Sequence, residues 1–373
     1  MLTFFHRFLG GGRLLAGGLV AAAAAVCLGA APPAPPKLTG GTGTIYIGGW
    51  PNKIYVIDEA TEKITGTIDT ATGAPSRVTI SKDKKRFYIV NALADQVEIV
   101  DIATRKSVDH FTLSEARRKT RIRALIPDPL DRFVIMLVKT AEKKIDRFEI
   151  SPPSLVVYDL KQHVISRTIP WPNNEEREGV NIMMSPDGKL LYFFAEDVLI
   201  YDTTEFKQID KWELSRPAEE GMGRFDAGPR DTTYEEPGFY SGIFTNQDPV
   251  QNRRTMGIAR VNLAGKSVEF WPLGPARPVG FSLAPDRKRA YGLMQDIGHY
   301  EFWTFDLEKH TLGPRTEFEG RPRMALRTSS NGKVLYIYQA GNTIDLYEAS
   351  TYKYLRTITL DADTTTELFV IPK

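Results

Sequence analysis

Cysteine is almost absent from this chain. Its 373 residues include one, Cys27, in an apolar N-terminal stretch. Removal of that stretch on export leaves a mature chain with no disulfide, no thiolate nucleophile and no Cys metal site. Covalent c-type haem is excluded too, because it needs two cysteines followed by a histidine. Histidine is sparse, five in all, and there is no excess of one charge: 48 Lys and Arg face 46 Asp and Glu. Arg7 and Arg13 leave with the N-terminal stretch, which has no acid, so the formal charge falls from +2 to 0. A neutral chain gives no case for nucleic acid or an acidic membrane surface as partner.

Common catalytic motifs are missing as well. There is no His-Glu-x-x-His and no Gly-x-Ser-x-Gly. Residues 263–267, Leu-Ala-Gly-Lys-Ser, resemble the end of a phosphate-binding loop, but Arg260 stands where that loop needs its first glycine. Paired acids at Glu175–Glu176 and Glu235–Glu236 lack a converging third group and read as solvated loop.

Residues 1–31 read as a secretory signal peptide. Arg7 and Arg13 precede an apolar, Ala- and Gly-rich run, and Gly29, Ala30 and Ala31 offer a cleavage site. An uncleaved anchor is the alternative, though the run is short for a spanning helix. A lipid on Cys27 is a second alternative, but Val26 stands where a small residue is wanted. Residues 32–43, rich in Pro, Gly and Thr, read as linker. From 44 to 373 no composition break appears, which argues for one domain, with a small core of its own in each repeat.

What is present is a repeat. Segments of Val, Ile, Phe and Tyr alternate with polar residues and are separated by tight polar turns, the pattern of half-buried strands joined as hairpins. A run of aliphatic or aromatic residues ends in a polar anchor seven times, at Asp58, Asp101, Asp159, Asp202, Asn262, Asp306 and Glu348. Four intervals between anchors are 42 to 44 residues, the period of β-propeller blades. A second anchor, such as Ser-Pro-Asp-Gly at 185–188, marks the turn between the first and second strands. The expected fold is all-β, a seven-bladed β-propeller of up-and-down four-stranded blades. Residues 44–49 read as a second strand with no first strand before it, and 366–372 as a first strand with no second after it. One blade is therefore expected to be shared by the N- and C-terminal strands, which removes exposed edges.

Two intervals are long, 58 and 60 residues. The excess falls at 139–153 and 246–254, between second and third strands, and in a longer first hairpin at 228–238. In an up-and-down blade, loops between strands two and three open on the same face as loops between blades. Both insertions, and the inter-blade segment 114–123, are expected on that loop face, with only tight turns on the other. Functional loops on a rigid scaffold make the loop face the working face. Arg117, Arg118, Lys119, Arg121 and Arg123 form the densest charge run, and Arg117, Arg118, Arg121 and Arg123 are candidates for docking an acidic partner. Trp50, His299 and Tyr300 fall on the same face and are candidates for a pocket wall. The other tryptophans read as packing between blades. No catalytic or metal-binding residue is assigned.

The Asp-x-x-Thr-x-Lys turns and Ser-Pro-Asp-Gly hairpins resemble those of YVTN-type seven-bladed propellers over nearly all of the mature chain. A narrower resemblance is to the beta subunit of quinohaemoprotein amine dehydrogenase. It rests on residues 147–159, on 240–246 through 260–263, on 290–293 and on 305–310. The methylamine dehydrogenase heavy chain is a more distant relative in fold and role. The resemblance implies a periplasmic, non-redox subunit with no cofactor of its own. It would hold together a small subunit bearing a tryptophan-derived quinone and a dihaem cytochrome c that carries haem c, and help wall the pocket for an amine. The alternative is a stand-alone periplasmic YVTN-type propeller that binds or assembles without catalysis.

Overall fold

The computed structural model describes residues 37–194, 197–213, 225–231, 233–247, 253–296, 298–338 and 341–373. The expected signal peptide lies outside them. From Leu38 to Lys373 the chain forms one unit of seven antiparallel sheets. Each sheet has four strands, and blades 3 and 6 carry one short strand more. Blade 1 combines residues 44–69 with 364–371. Blades 2 to 7 occupy 75–112, 118–169, 181–212, 225–275, 282–317 and 325–359. This is a seven-bladed β-propeller.

All seven third strands end on the anchors read from the sequence. The reason is local. The Asp58 carboxylate accepts the Thr61 N–H at 2.9 Å, Asp101 accepts Thr104 N–H at 2.7 Å, and Asp306 accepts Lys309 N–H at 2.8 Å. Such side-chain bonds hold the turn that reverses the chain. Four residues beyond each anchor the backbone enters the left-handed region, at Glu62, Arg105, His163, Phe206, Lys266, His310 and Tyr352. None of the seven is glycine, so every blade accepts a small backbone strain at one turn position.

The ring closes as expected. Strand Thr364–Ile371 pairs with Thr44–Gly49, with Ile45 opposite Val370 and Ile47 opposite Leu368. Residues 38–43, read from composition as linker, are tied down here. Asn331 N–H donates to the Gly40 carbonyl at 2.9 Å, and Gly43 N–H to the buried Glu59 carboxylate at 2.9 Å. A side chain at Gly40 would collide with Tyr336 Oη and Glu59.

The core corrects one expectation. Blades do not have separate cores; apolar side chains meet between blades. Seven buried clusters occupy the seven junctions, for example Tyr46, Val56, Phe87 and Val100 between blades 1 and 2, and Tyr192, Ile200, Tyr240 and Val261 between blades 4 and 5. A twisted sheet buried on both faces needs a neighbour on each side, so a blade has no stable isolated form. Trp171, Trp212, Trp271 and Trp303 pack at these junctions as expected.

Two predictions follow from this architecture. Deleting residues 366–373 uncovers Leu368, Phe369 and Val370, which are all buried. At about 1.5–3 kcal/mol for each such side chain, the loss is comparable to a typical net stability of about 5–15 kcal/mol. Thermal unfolding should show the whole ring destabilised; an unchanged Tm would mean that the terminal strand is dispensable.

The second prediction concerns acid. The Thr61 N–H, followed by Lys373, holds the Asp58 carboxyl down at about 2, and backbone N–H groups likewise lower Asp101, Asp202 and Asp306. A folded-state pKa below the unfolded value means stability present above about pH 4 and lost as pH falls toward about 2. Asp58→Asn keeps an acceptor for the turn but cannot titrate. Its Tm should therefore fall less steeply between pH 4 and 2; a curve parallel to the wild type would remove Asp58 from the account.

Candidate functional site

The loop face is shaped mainly by blade 3. Its first strand, Arg118–Pro127, and second strand, Phe133–Lys143, are far longer than their counterparts in blade 2. Their outer halves pair beyond the disc, with Arg118 opposite Glu142 and Ile122 opposite Val138. A short strand, Phe148–Ile150, pairs on the other side of the second strand, from Lys143 to Ala141. The segment 139–153 is thus no loop but part of a three-stranded ribbon. Likewise Arg118, Lys119, Arg121 and Arg123 lie on its first strand, with only Arg117 in the preceding turn. Alternation explains the sequence here: Thr120 and Ile122 turn inward and are buried, and the basic residues between them face out. Polar composition hid a strand whose outer face is solvated.

At the ribbon's base, between blades 2 and 3, lies a cleft of about 580 Å³ lined by Arg77, Lys119, Arg121, Arg123, Lys139 and Ile150, among others. The Arg77 guanidinium donates to the carbonyls of Ile122 and Arg123, which fastens blade 2 to the ribbon. Burial, then the nearby Arg123 charge, lowers its pKa. Several cations already have partners. Glu178 meets Arg123 at 3.1 Å and Lys139 at 2.5 Å, Glu115 meets Arg118 at 2.7 Å, and Asp95 meets Lys119 at 3.5 Å. Arg117 and Arg121 form no ion pair among the described residues. Around them Leu93, Ile145, Phe148 and Ile150 are exposed. Free cations beside exposed apolar side chains and unpaired strand edges provide what a protein partner uses for steering, burial and register.

The pocket-wall candidates lie on the same face but in other blades. Trp50 is exposed in the turn between strands Thr44–Gly49 and Lys53–Asp58 of blade 1. His299 opens the third strand of blade 6 rather than sitting in a loop. No hydrogen bond or ring contact joins Trp50 to His299 or Tyr300 among the described residues. His299 Nε2 lies 3.0 Å from Glu301 and Nδ1 3.8 Å from Glu317. The three side chains offer ligand atoms within 4.8 Å of one another, enough to hold a cation in principle. However, the Trp303 indole N–H holds the other Glu301 oxygen at 2.6 Å, and Tyr300 packs on Phe318. Of the second long insertion, residues 248–252 lie outside the described residues.

The opposite face does not carry only tight turns. The hairpin between strands Phe225–Arg230 and Phe239–Gln247 of blade 5 reaches across the central channel. Asp231 accepts Ser282 Oγ and Leu283 N–H of blade 6, both at 3.1 Å, and pairs with Arg327 Nη1 of blade 7 at 2.9 Å. Tyr234 OH donates to the Thr328 carbonyl at 3.3 Å, and Lys84 Nζ of blade 2 donates to the Thr233 carbonyl at 3.0 Å. Arg327 also donates to the Leu368 carbonyl of blade 1 at 3.0 Å. Burial alone would lower the Arg327 pKa, but Asp231 reverses this and holds it above the usual value. Sequence reading missed Asp231 and Arg327. The extra length of 228–238 was the only signal, and nothing local shows that it crosses the ring.

No protein-family model and no curated protein sequence matches the chain. Solved structures do resemble it. One is a functionally unknown protein from Desulfotomaculum acetoxidans, at TM-score 0.55 and 14% identity, covering 88% of this chain and 99% of that one. A periplasmic gluconolactonase of Pseudomonas aeruginosa gives TM-score 0.53 at 12% identity, covering 88% and 99%. Dihydro-heme d1 dehydrogenase NirN gives 0.51 at 11%, covering 88% and 75%. These are similarities of fold.

The crossing hairpin generates a prediction. Asp231→Ala leaves Arg327 buried beside a lost partner, which typically costs about 3–5 kcal/mol. Replacing the pair together, Asp231→Leu with Arg327→Met, should cost much less. Denaturant unfolding measures both; a single variant as stable as the wild type would show that the pair does not brace the ring.

Proposed function

We propose that this chain is the non-redox propeller subunit of a periplasmic complex like quinohaemoprotein amine dehydrogenase. It scaffolds a small quinone-bearing subunit and a dihaem cytochrome c, and helps wall the amine pocket. The observation that carries this reading is the ribbon of blade 3. It rises on the loop face, carries Arg117 and Arg121, which form no ion pair among the described residues, and exposes Ile145, Phe148 and Ile150. The resemblance at residues 147–159 falls on this same ribbon and the strand that follows it. The amine chemistry belongs to the partner's quinone in this reading, and the propeller supplies rigid surface. A stable interface needs about 800 Å² per partner, and the ribbon with its cleft supplies relief that tight turns lack.

The test is isolation of the tagged, exported protein from its native host. Co-purification with a protein showing c-type haem absorption and a small quinone-bearing chain supports the proposal; recovery of the propeller alone at low salt counts against it. Arg117→Glu with Arg121→Glu should weaken the complex several-fold at low salt and less at high salt, because exposed charges act through a screened field. Arg118 is a poorer target, since Glu115 already neutralises it. Lys84, although on the opposite face, is unsuitable as a control, because it anchors the crossing hairpin. Lys106→Glu with Lys161→Glu, exposed on the opposite face, should leave the complex intact. Equal losses from both pairs would overturn the assignment of the working face.

A further inference from the structure

A cavity of about 410 Å³ opens between blades 5 and 6 on the face away from the ribbon. The crossing hairpin supplies part of its wall through Glu235. Ile258, Leu283 and Leu307 contribute apolar surface, and Arg260 and Arg287 contribute guanidinium groups. Its volume is in the range of small-molecule sites.

Two residues of this wall each carry a buried side-chain atom without a hydrogen-bond partner, Glu235 Oε2 and Trp271 Nε1. Only one other such side-chain atom, Thr365 Oγ1, occurs among the described residues. An unmet buried polar group costs about 1–3 kcal/mol, so two on one cavity wall call for an explanation. They have opposite needs. The carboxylate oxygen accepts, and the indole N–H only donates. Neither is free to turn away. Glu235 Oε1 accepts the Glu236 N–H at 2.9 Å. The Trp271 ring is 8% exposed and stacks on His310 at 4.0 Å. Arg260 and Arg287 each bond to Glu236, at 3.0 and 2.9 Å, and keep further N–H groups. Glu236 thereby holds together two guanidinium groups of the cavity wall, an arrangement suited to a carboxylate.

We propose that this cavity binds a small zwitterion of amino-acid size. Its ammonium donates to Glu235 Oε2, its carboxylate accepts from Arg260, Arg287 and the Trp271 N–H, and a short aliphatic side chain lies on Ile258, Leu283 and Leu307. Other small ligands match less of the wall. An amine alone leaves the indole N–H unmet, an acid alone leaves Glu235 Oε2 without a hydrogen bond, and a neutral sugar brings neither an ammonium to Glu235 nor a carboxylate to the arginines. The site is separate from the ribbon and does not depend on the reading of that surface.

Calorimetry and thermal shift on the exported full chain decide it. The probes are the aliphatic α-amino acids, isobutylamine, isovalerate and glucose. At least one amino acid should bind, and the amine and acid should bind at least about tenfold more weakly. Glu235→Gln should weaken amino-acid binding about tenfold. Trp271→Phe, which keeps the ring against His310, should weaken it several-fold. Melting of the ligand-free variants confirms that they fold. Absence of binding by every amino acid at about 10 mM, a cavity holding water only, overturns the proposal. So does equal binding of the amine or acid, or binding that both variants leave unchanged.

Discussion

Each blade is a sheet whose two faces are covered only by its neighbours, and the other features of the molecule depend on that constraint. Val56 and Phe87 meet across one junction, Tyr336 and Leu368 across another, and seven such junctions make a ring with no independent part. The pairing of Thr364–Ile371 with Thr44–Gly49 therefore counts for more than its six-residue strand suggests. It completes blade 1, and blade 1 covers both blade 2 and blade 7. Arg327, reaching from blade 7 to the Leu368 carbonyl of blade 1, reinforces the same seam.

A frame closed in this way tolerates large additions at strand ends, and the additions in blades 3 and 5 use it differently. The ribbon of blade 3 continues the ladder of its own sheet outward, so its position is fixed by backbone pairing. The blade 5 hairpin leaves its sheet and is held by side chains of distant blades, Arg327, Ser282 and Lys84. The first addition enlarges one face. The second braces the other face and lies across the channel end. The Asp231–Arg327 pair is buried, so its net contribution to stability is small while the loss of either partner alone is costly.

Much of the fold was legible in sequence because each blade repeats the same turn chemistry. Asp58, Asp101 and Asp306 mark strand ends through bonds to amides three residues away, a purely local effect. The candidate site was legible only in outline. The basic run was found, but its strand was read as loop, because the alternation of Thr120 and Ile122 with arginines shows an inner face only when a partner strand is known. Glu235 and Glu236 read as solvated acids. In the structure Glu236 bridges Arg260 and Arg287, and one oxygen of Glu235 is buried. Those partners come from another strand of blade 5 and from blade 6, and no local pattern encodes a contact between separate strands and blades.

The division between faces also bears on how the chain could serve more than one ligand. The ribbon face offers exposed charge and apolar side chains on strand edges, suited to a macromolecule that brings its own shape. The opposite face offers a walled cavity with unmet hydrogen-bonding groups, suited to a molecule small enough to enter between two blades. Both walls rest on blade junctions that are close-packed, and close-packed interiors transmit displacement rather than absorb it. The Glu235 segment belongs to the hairpin that Arg327 anchors to blades 7 and 1. Occupation of the cavity would therefore act first on the brace across the channel. The ribbon lies at blade 3, whose junctions with blades 2 and 4 are separate clusters from that brace. The shortest link between the two faces among the described residues is Lys84, whose bond ties the hairpin to blade 2, the blade whose Arg77 fastens the ribbon.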